Sequence, residues 1–193
     1  YYTNGNIIVK SYYENNLKQG REVRYFGNSK MQYELNFRDN KLHGTSKYYN
    51  GAGVLVKSTD YKYNLKHGTE MVYYAKNKPK SIVNFQNGRL NGKSIYYFIN
   101  GKKSLELSYA NNIKNGTETK YFPSGKVKSL LVFEDGKLNG ACAWYFSNGN
   151  PMLIRNYSYN LKHGLETRFF ANNKEASKIM YSNGKLHGES IYY

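Results

Sequence analysis

A glycine recurs every 24 residues along the chain, and no insertion interrupts the series. Aromatic residues keep the same spacing, both five and 17 positions after the glycines. A fixed period of this length is typical of repeat proteins, in which each unit packs mainly against its neighbours. The glycines, called the anchor glycines below, are Gly20, Gly44, Gly68, Gly92, Gly116, Gly140, Gly164 and Gly188. The first aromatic series is Tyr25, Tyr49, Tyr73, Tyr97, Tyr121, Tyr145, Phe169 and Tyr193. The second is Phe37, Tyr61, Phe85, Tyr109, Phe133, Tyr157 and Tyr181, with Tyr13 in the same phase.

Two turn signals divide each repeat into two short segments. The first signal is seen at Asn100-Gly101, Ser124-Gly125 and Asn148-Gly149, and the second at Asn87-Gly88, Asp135-Gly136 and Asn183-Gly184. Asn-Gly and Asp-Gly accept the positive φ that type I′ hairpin turns require. The segments between the turns are about eight residues long and alternate apolar with polar residues, as at Tyr33, Leu35 and Phe37. The sequence therefore predicts one β-hairpin per repeat.

A longer period of 48 residues lies within the first. At the position two residues after the anchor glycine, glutamate in one repeat alternates with a small residue in the next. At the position four residues after it, a mostly basic series alternates with an aromatic one. The first alternation is Glu22, Glu70, Glu118 and Glu166 against Ser46, Ser94, Cys142 and Ser190. The second is Arg24, Val72, Lys120 and Arg168 against Tyr48, Tyr96, Trp144 and Tyr192. Basic and aromatic side chains should therefore alternate along one face of the sheet, with like charges kept two repeats apart.

Composition narrows the class of protein and of partner. Aromatic residues make up 17% of the chain, which argues against disorder although the mean hydropathy is -0.79. No apolar run approaches the roughly 18 residues of a membrane span, so an integral membrane helix is excluded. The 29 Lys and Arg residues exceed the 13 Asp and Glu residues, and the net charge of +16 favours anionic partners.

Several strings resemble the MORN-repeat family, and more narrowly its bacterial variant. They include YYFINGKKSLELSYANN, which runs from Tyr96 to Asn112, and SNGKLHGESIYY at the end of the chain. The resemblance covers all the repeats and implies an all-β fold, an elongated and twisted antiparallel β-meander of hairpins. It also implies a module for protein interaction and assembly, in some members linked to phospholipid surfaces, and bacterial relatives are often antitoxins of the YwqK type.

We expect residues 1–193 to form a single array of about eight repeats. Tyr1 and Tyr193 both fall in the middle of predicted strands, so we expect the chain to be a segment of a longer protein. Coiling of so many strands should place the aromatic series inside the curve. Localisation stays open between the bacterial cytoplasm and the cell surface.

The residues that could carry chemistry have simpler interpretations as structural residues. Each of the four histidines directly precedes an anchor glycine. Equivalent positions in successive repeats lie about 9.5 Å apart, which is too far for shared metal ligation, so we predict turn hydrogen bonds rather than a metal site. The four glutamates are too far apart for paired-carboxylate catalysis, and we predict ion pairs with Arg24, Lys120 and Arg168 instead. Cys142 stands in a serine position without an activating partner. We predict no enzyme activity, cofactor, metal or small-molecule substrate. The histidines are His43, His67, His163 and His187.

The alternating basic and aromatic residues are the best candidate for a binding face. Trp, Tyr and Arg dominate interface hot spots, so we predict a non-enzymatic scaffold that binds a protein partner, with an acidic partner favoured. The alternatives are an antitoxin or immunity protein, a secreted surface adhesion protein, and weak salt-sensitive adhesion to anionic membranes through lysines at the turns. Nucleic acid is the less favoured anion. The candidate face comprises Arg24, Tyr48, Tyr96, Lys120, Trp144, Arg168 and Tyr192.

Overall fold

The computed structural model describes residues 1–3 and 5–193, and its secondary structure there consists of β-strands and turns. Among these residues no helix is long and apolar enough to cross a membrane. The chain divides into two compact units, Tyr1–Asn91 and Gly92–Tyr193, which are described in turn.

Antiparallel hairpins connected in sequence order make up most of the first unit. From β4 onward the strands pair in chain order, and β5 pairs with both β6 and β7, which lie end to end along it as one strand interrupted at His43. The strand β1 pairs with β4, while β2 and β3 form a small separate hairpin. The strands are β1 (Val9–Lys10), β2 (Tyr13–Glu14), β3 (Leu17–Lys18), β4 (Gly20–Tyr25), β5 (Met31–Arg38), β6 (Lys41–Leu42), β7 (Gly44–Tyr49), β8 (Leu55–Lys62), β9 (Leu65–Ala75) and β10 (Lys78–Gln86).

The second unit repeats the same connection more regularly. The strand β11 (Arg89–Tyr97) begins at the end of the first unit, and its residues from Gly92 onward pair with β12. The later strands pair antiparallel in chain order, and β14 pairs with both β15 and β16, which lie end to end along it as one strand interrupted at Asn139. The predicted all-β antiparallel meander of hairpin repeats is confirmed. The strands are β12 (Lys103–Ala110), β13 (Ile113–Tyr121), β14 (Val127–Glu134), β15 (Lys137–Leu138), β16 (Gly140–Tyr145), β17 (Pro151–Ser158), β18 (Leu161–Phe169), β19 (Glu175–Ser182) and β20 (Lys185–Tyr192).

The two turns of each repeat differ in kind. In the second turn both central residues have positive φ, for example Asn87 at 49° and Gly88 at 80°, which confirms the type I′ prediction. The same prediction is wrong for the first turn. Phe98 N donates to Lys102 O and Gly101 N donates to Phe98 O, so the loop has three residues and only Gly101 has positive φ, at 84°.

An asparagine side chain explains the three-residue form of the first turn. Asn100 does not adopt positive φ; instead its Oδ1 accepts a hydrogen bond from Lys102 N at 3.0 Å. Asn148 makes the same contact with Asn150 N at 2.9 Å, and Asn172 with Lys174 N at 3.1 Å. The asparagine thus stabilises the loop through its side chain, a role that its Asn-Gly context alone does not distinguish from type I′.

The anchor glycine lies in a bulge of its strand. Between β8 and β9, Thr59 is opposite Glu70, whereas Tyr61 is opposite Lys66. A step of two residues along β8 therefore corresponds to a step of four residues along β9. Gly68 lies in this bulge with φ of 101°. A Cβ atom there would come within 3.0 Å of Cβ and Oδ2 of Asp60, so both conformation and space require glycine.

We predict that Gly68→Ala destabilises the chain by about 1–3 kcal/mol, because alanine is strained at this φ and crowds Asp60. The matched control is Gly51→Ala in the same unit, where φ is not positive and an added Cβ meets no atom within 4 Å. Urea unfolding midpoints of the two variants would measure the difference. Equal midpoints would show that the bulge does not depend on glycine.

Candidate protein-binding face

Strand pairing brings the predicted binding residues into one row within each unit. In the first unit Arg24 is opposite Tyr33, which is opposite Tyr48, and the row continues through Lys57 to Val72. In the second unit the row crosses every long strand from β11 to β20. We call this second line of residues the basic–aromatic row; it comprises Tyr96, Leu105, Lys120, Ser129, Trp144, Leu153, Arg168, Ser177 and Tyr192.

The large polar and aromatic side chains of this row alternate with two half-buried leucines, Leu105 and Leu153, and two buried serines, Ser129 and Ser177. The side chains of Lys120 and Arg168 are 51% and 53% exposed, and Trp144 is half-buried between them. Ser129, which separates Lys120 from Trp144, is buried. The row therefore presents an indole ring with one cation on each side, and there is little side-chain bulk between Lys120 and Trp144.

Beneath Arg168 lies a carboxylate that is removed from solvent. Glu166 is 0% exposed and accepts hydrogen bonds from Arg168 Nε at 2.9 Å and from Arg155 Nε at 2.5 Å, while Lys162 Nζ lies 3.5 Å away. The predicted pairing of Glu166 with Arg168 is therefore present, and so is that of Glu118 with Lys120, at 3.4 Å. Sequence reasoning missed Arg155, which occupies a position where the other repeats carry an apolar residue, threonine or serine.

The carboxylate of Glu22 differs from the predicted arrangement. This carboxylate accepts hydrogen bonds from Lys18, Ser11 and Tyr33, at 2.5, 2.7 and 3.2 Å, rather than from the predicted Arg24. Arg24 stands at the row position of its repeat and is exposed. The lysine that precedes the anchor glycine by two residues takes the place that the prediction gave to the arginine.

Such a lysine pairs with the glutamate in all four glutamate repeats. It lies four residues before the glutamate, a separation of about 13 Å in a regular strand. Because the bulge places Lys66 and Glu70 opposite Tyr61 and Thr59, that separation shrinks to about two residues, and Nζ reaches Oε2 at 2.7 Å. The four pairs are Lys18–Glu22, Lys66–Glu70, Lys114–Glu118 and Lys162–Glu166.

Each of these lysines also lies over the second aromatic residue of its own repeat. The ammonium groups of Lys66 and Lys114 are 4.7 and 4.8 Å from the ring centroids of Phe85 and Phe133. This distance suits a cation–π interaction. The lysines could have been found from the sequence, because the repeats without a glutamate carry leucine at this position. Those leucines are Leu42, Leu90, Leu138 and Leu186.

A comparison with known protein families finds a match to two of these repeats. The family model described as MORN repeat variant matches residues 66–87 and 114–135. Both matches begin at the bulge lysine, Lys66 or Lys114, and end in the second turn of the same repeat. These segments are MORN repeats. No curated protein matches the chain. MORN repeats are commonly modules that interact with proteins or membranes, and the family is generally non-catalytic. Assignment to the bacterial, YwqK-type variant stays a prediction.

The other side chains singled out in the sequence occupy structural positions in the hairpins. His67 Nδ1 lies 3.2 Å from Asn87 Oδ1 in the next second turn, which agrees with the predicted turn hydrogen bond. His43 packs edge-on against the Tyr63 ring. Cys142 is fully buried, as Ser46 and Ser94 are at equivalent positions, and burial raises the pKa of its thiol. Among the described residues no three His, Cys, Asp or Glu side chains meet as a metal site.

Four buried or half-buried glutamates, Glu22, Glu70, Glu106 and Glu166, have a lowered pKa. Burial alone would raise the pKa of Glu166, but hydrogen bonds from Arg155 and Arg168 outweigh that effect. The pKa of Glu70 is lowered in the same way by Lys66 and Lys57, and that of Glu22 by Lys18 and Ser11. These groups therefore stay ionised in the folded chain at neutral pH.

We predict that Glu166→Ala costs about 3 kcal/mol, because it leaves the mostly buried Arg155 without its counter-charge. Arg155→Leu should cost clearly less, since Leu107 already stands opposite Glu118 in the equivalent arrangement. As a surface control, Glu175→Ala breaks an ion pair with Lys178 at a carboxylate that is 39% exposed, and should cost under about 1 kcal/mol. Denaturant unfolding of the three variants would test this order, and a Glu166→Ala cost no larger than that of Glu175→Ala would contradict it.

A second prediction concerns the loss of folding stability at acidic pH. A carboxyl group whose pKa is lower in the folded than in the unfolded chain stabilises the fold fully above its unfolded pKa, near 4.3. That stability is lost as the pH falls through the folded pKa. We therefore expect the urea midpoint to be steady from pH 7 to about pH 5 and to fall below that. Glu166→Gln should flatten the fall, and an unchanged slope in this variant would exclude Glu166 as a contributor.

Proposed function

We propose that the chain is a non-enzymatic scaffold that binds a protein partner through the basic–aromatic row. The observation that carries this proposal is the cross-strand alignment of Lys120, Trp144 and Arg168 on one face of the second unit. Both cations are about half exposed, although the carboxylates at the base of the same face are buried. The charge that remains available to a partner is therefore positive.

The row is already ordered in the unbound chain. Glu166 holds the Arg168 guanidinium, and the Arg155 guanidinium lies 5.9 Å from the centroid of the Trp144 ring. Side chains that are positioned in advance lose less conformational entropy when a partner binds. Trp and Arg are also the residues most enriched among interface hot spots, which supports a binding role for this face.

Charge favours an acidic partner. The glutamate-bearing face of the second unit has five cations near its two glutamates, which leaves a surplus of three positive charges. Such a surplus speeds association with an acidic surface and penalises a basic one. The cations are Lys114, Lys120, Arg155, Lys162 and Arg168, and the glutamates are Glu118 and Glu166.

The lysines of the first turns favour a protein over a membrane as the main partner. The ammonium groups of Lys30, Lys102 and Lys126 donate to the carbonyl oxygens of Ala52, Ser124 and Asn148 in the following first turns. These lysines thus hold neighbouring hairpins together, and detaching them for lipid headgroups would break those hydrogen bonds. An antitoxin would use the same row with a toxin as its acidic partner, and therefore belongs to the same proposal.

We predict that the double variant Trp144→Ala/Arg168→Ala recovers at least tenfold less of the main partner than the wild-type chain in affinity capture from a lysate of the encoding organism, measured by quantitative mass spectrometry. The control Phe170→Ala/Lys185→Ala removes an exposed aromatic residue and a cation outside the row, and should capture the partner at the wild-type level. If no captured protein distinguishes the row variant from this control, the row is not the binding face.

A further inference from the structure

We infer that the ligand of the basic–aromatic row is an acidic segment in the polyproline II conformation, with every third side chain in contact with the row. This inference rests on the proposed scaffold function and names the chemistry of its partner. The segment would run across the strands, from Lys120 over Trp144 to Arg168.

Spacing is the first argument. Lys120 and Trp144 are separated by one intervening strand position, Ser129, and Trp144 and Arg168 by another, Leu153. Neighbouring strands lie about 4.8 Å apart, so each step between the three large side chains is about 9.6 Å. A polyproline II helix rises about 3.1 Å per residue with three residues per turn, and its side chains realign every 9.3 Å or so. The two repeats agree to a few tenths of an ångström.

Other peptide conformations fit this spacing less well. In an extended β-strand, side chains three residues apart point to opposite sides, so a strand that places both ends on the cations turns its middle residue away from Trp144. In an α-helix the nearest matching separation is seven residues, about 10.5 Å, so the mismatch grows to about 2 Å over two steps. Of these conformations, the threefold one presents all three contact residues at the spacing of about 9.6 Å expected from the strand separation.

Chemistry gives the identity of the contact residues. Carboxylates suit the exposed ends of Lys120 and Arg168, and Glu166 holds Nε of Arg168 so that its guanidinium has a fixed orientation. A proline ring suits the indole face of Trp144, as in other aromatic grooves that recognise proline-rich segments. The buried Ser129 leaves room beside the indole. The ligand pattern is therefore an acidic residue, two spacers, proline, two spacers and a second acidic residue.

The chain offers its own probe for this contact, because Trp144 is its single tryptophan. The test peptide is Glu-Pro-Pro-Pro-Pro-Pro-Glu between glycines, and its isomer Glu-Pro-Pro-Pro-Pro-Glu-Pro has the same composition but brings the second carboxylate one residue closer, rotated by a third of a turn. We expect the first peptide to change the Trp144 emission and to bind the full chain about tenfold more tightly than the isomer. An acidic helical peptide of equal charge serves as a third ligand.

Variants locate the contacts with a fluorescently labelled copy of the first peptide. Lys120→Ala and Arg168→Ala should each weaken its binding several-fold, and Lys185→Ala, which removes an exposed cation outside the row, should leave it unchanged. Equal binding of the two isomers, tighter binding of the helical peptide, or an equal effect of Lys185→Ala would overturn the inference.

Failure of this inference and failure of the scaffold proposal give different results. If the peptides do not bind but a partner is captured in a row-dependent manner, the polyproline II inference is wrong and the scaffold function stands. If neither peptides nor a row-dependent partner bind, the scaffold function is wrong as well. Binding of the first peptide with the expected isomer preference supports both.

Discussion

A buried or half-buried carboxylate in every second hairpin is the constraint on which the rest of this structure depends. Glu166 has no exposed surface, so it requires a cation that arrives from within the fold. A lysine four residues before the glutamate provides this cation. The bulge at the anchor glycine shortens the distance between the two residues, so that the lysine reaches the carboxylate. The same lysine then covers the next aromatic ring, so ion pair, bulge and aromatic series form one arrangement rather than three separate motifs.

Hydrogen bonds between hairpins supplement a small apolar core. Among the described residues, the buried apolar side chains are only Val23, Val83, Leu107, Cys142 and Ile179, and more polar than apolar residues are buried. The turns compensate at both edges. Asn64 Oδ1 accepts from Leu42 N at 2.7 Å, and Asn148 Nδ2 donates to Ala171 O at 3.0 Å, each joining one repeat to the next. This explains how a chain of low mean hydropathy forms an ordered sheet: polar groups at the turns are satisfied by neighbouring repeats.

The sequence predicted the hairpins because glycine, asparagine and aromatic residues recur where backbone sterics allow few alternatives. It predicted the second turns for the same reason, but not the first turns, since Asn100 stabilises its loop through a side-chain hydrogen bond that the Asn-Gly pair does not reveal. The row of candidate binding residues followed from their common position after the anchor glycines. The buried charge clusters did not, because Arg155 reaches Glu166 from the directly opposite position on the neighbouring strand, and Lys162 reaches it through a bulge whose register only the structure provides.

The alternation of glutamate and serine repeats has a consequence for how such a chain can change in length. A hairpin with a buried ion pair is followed by one with a leucine and a small residue, and the two kinds are not interchangeable. Duplication or loss of one hairpin would set two hairpins of the same kind side by side. Two neighbouring hairpins would then both carry the buried ion pair, or both lack it. Unequal recombination can therefore add or remove repeats without such a fault only in pairs, and the heritable module of this protein is 48 residues long.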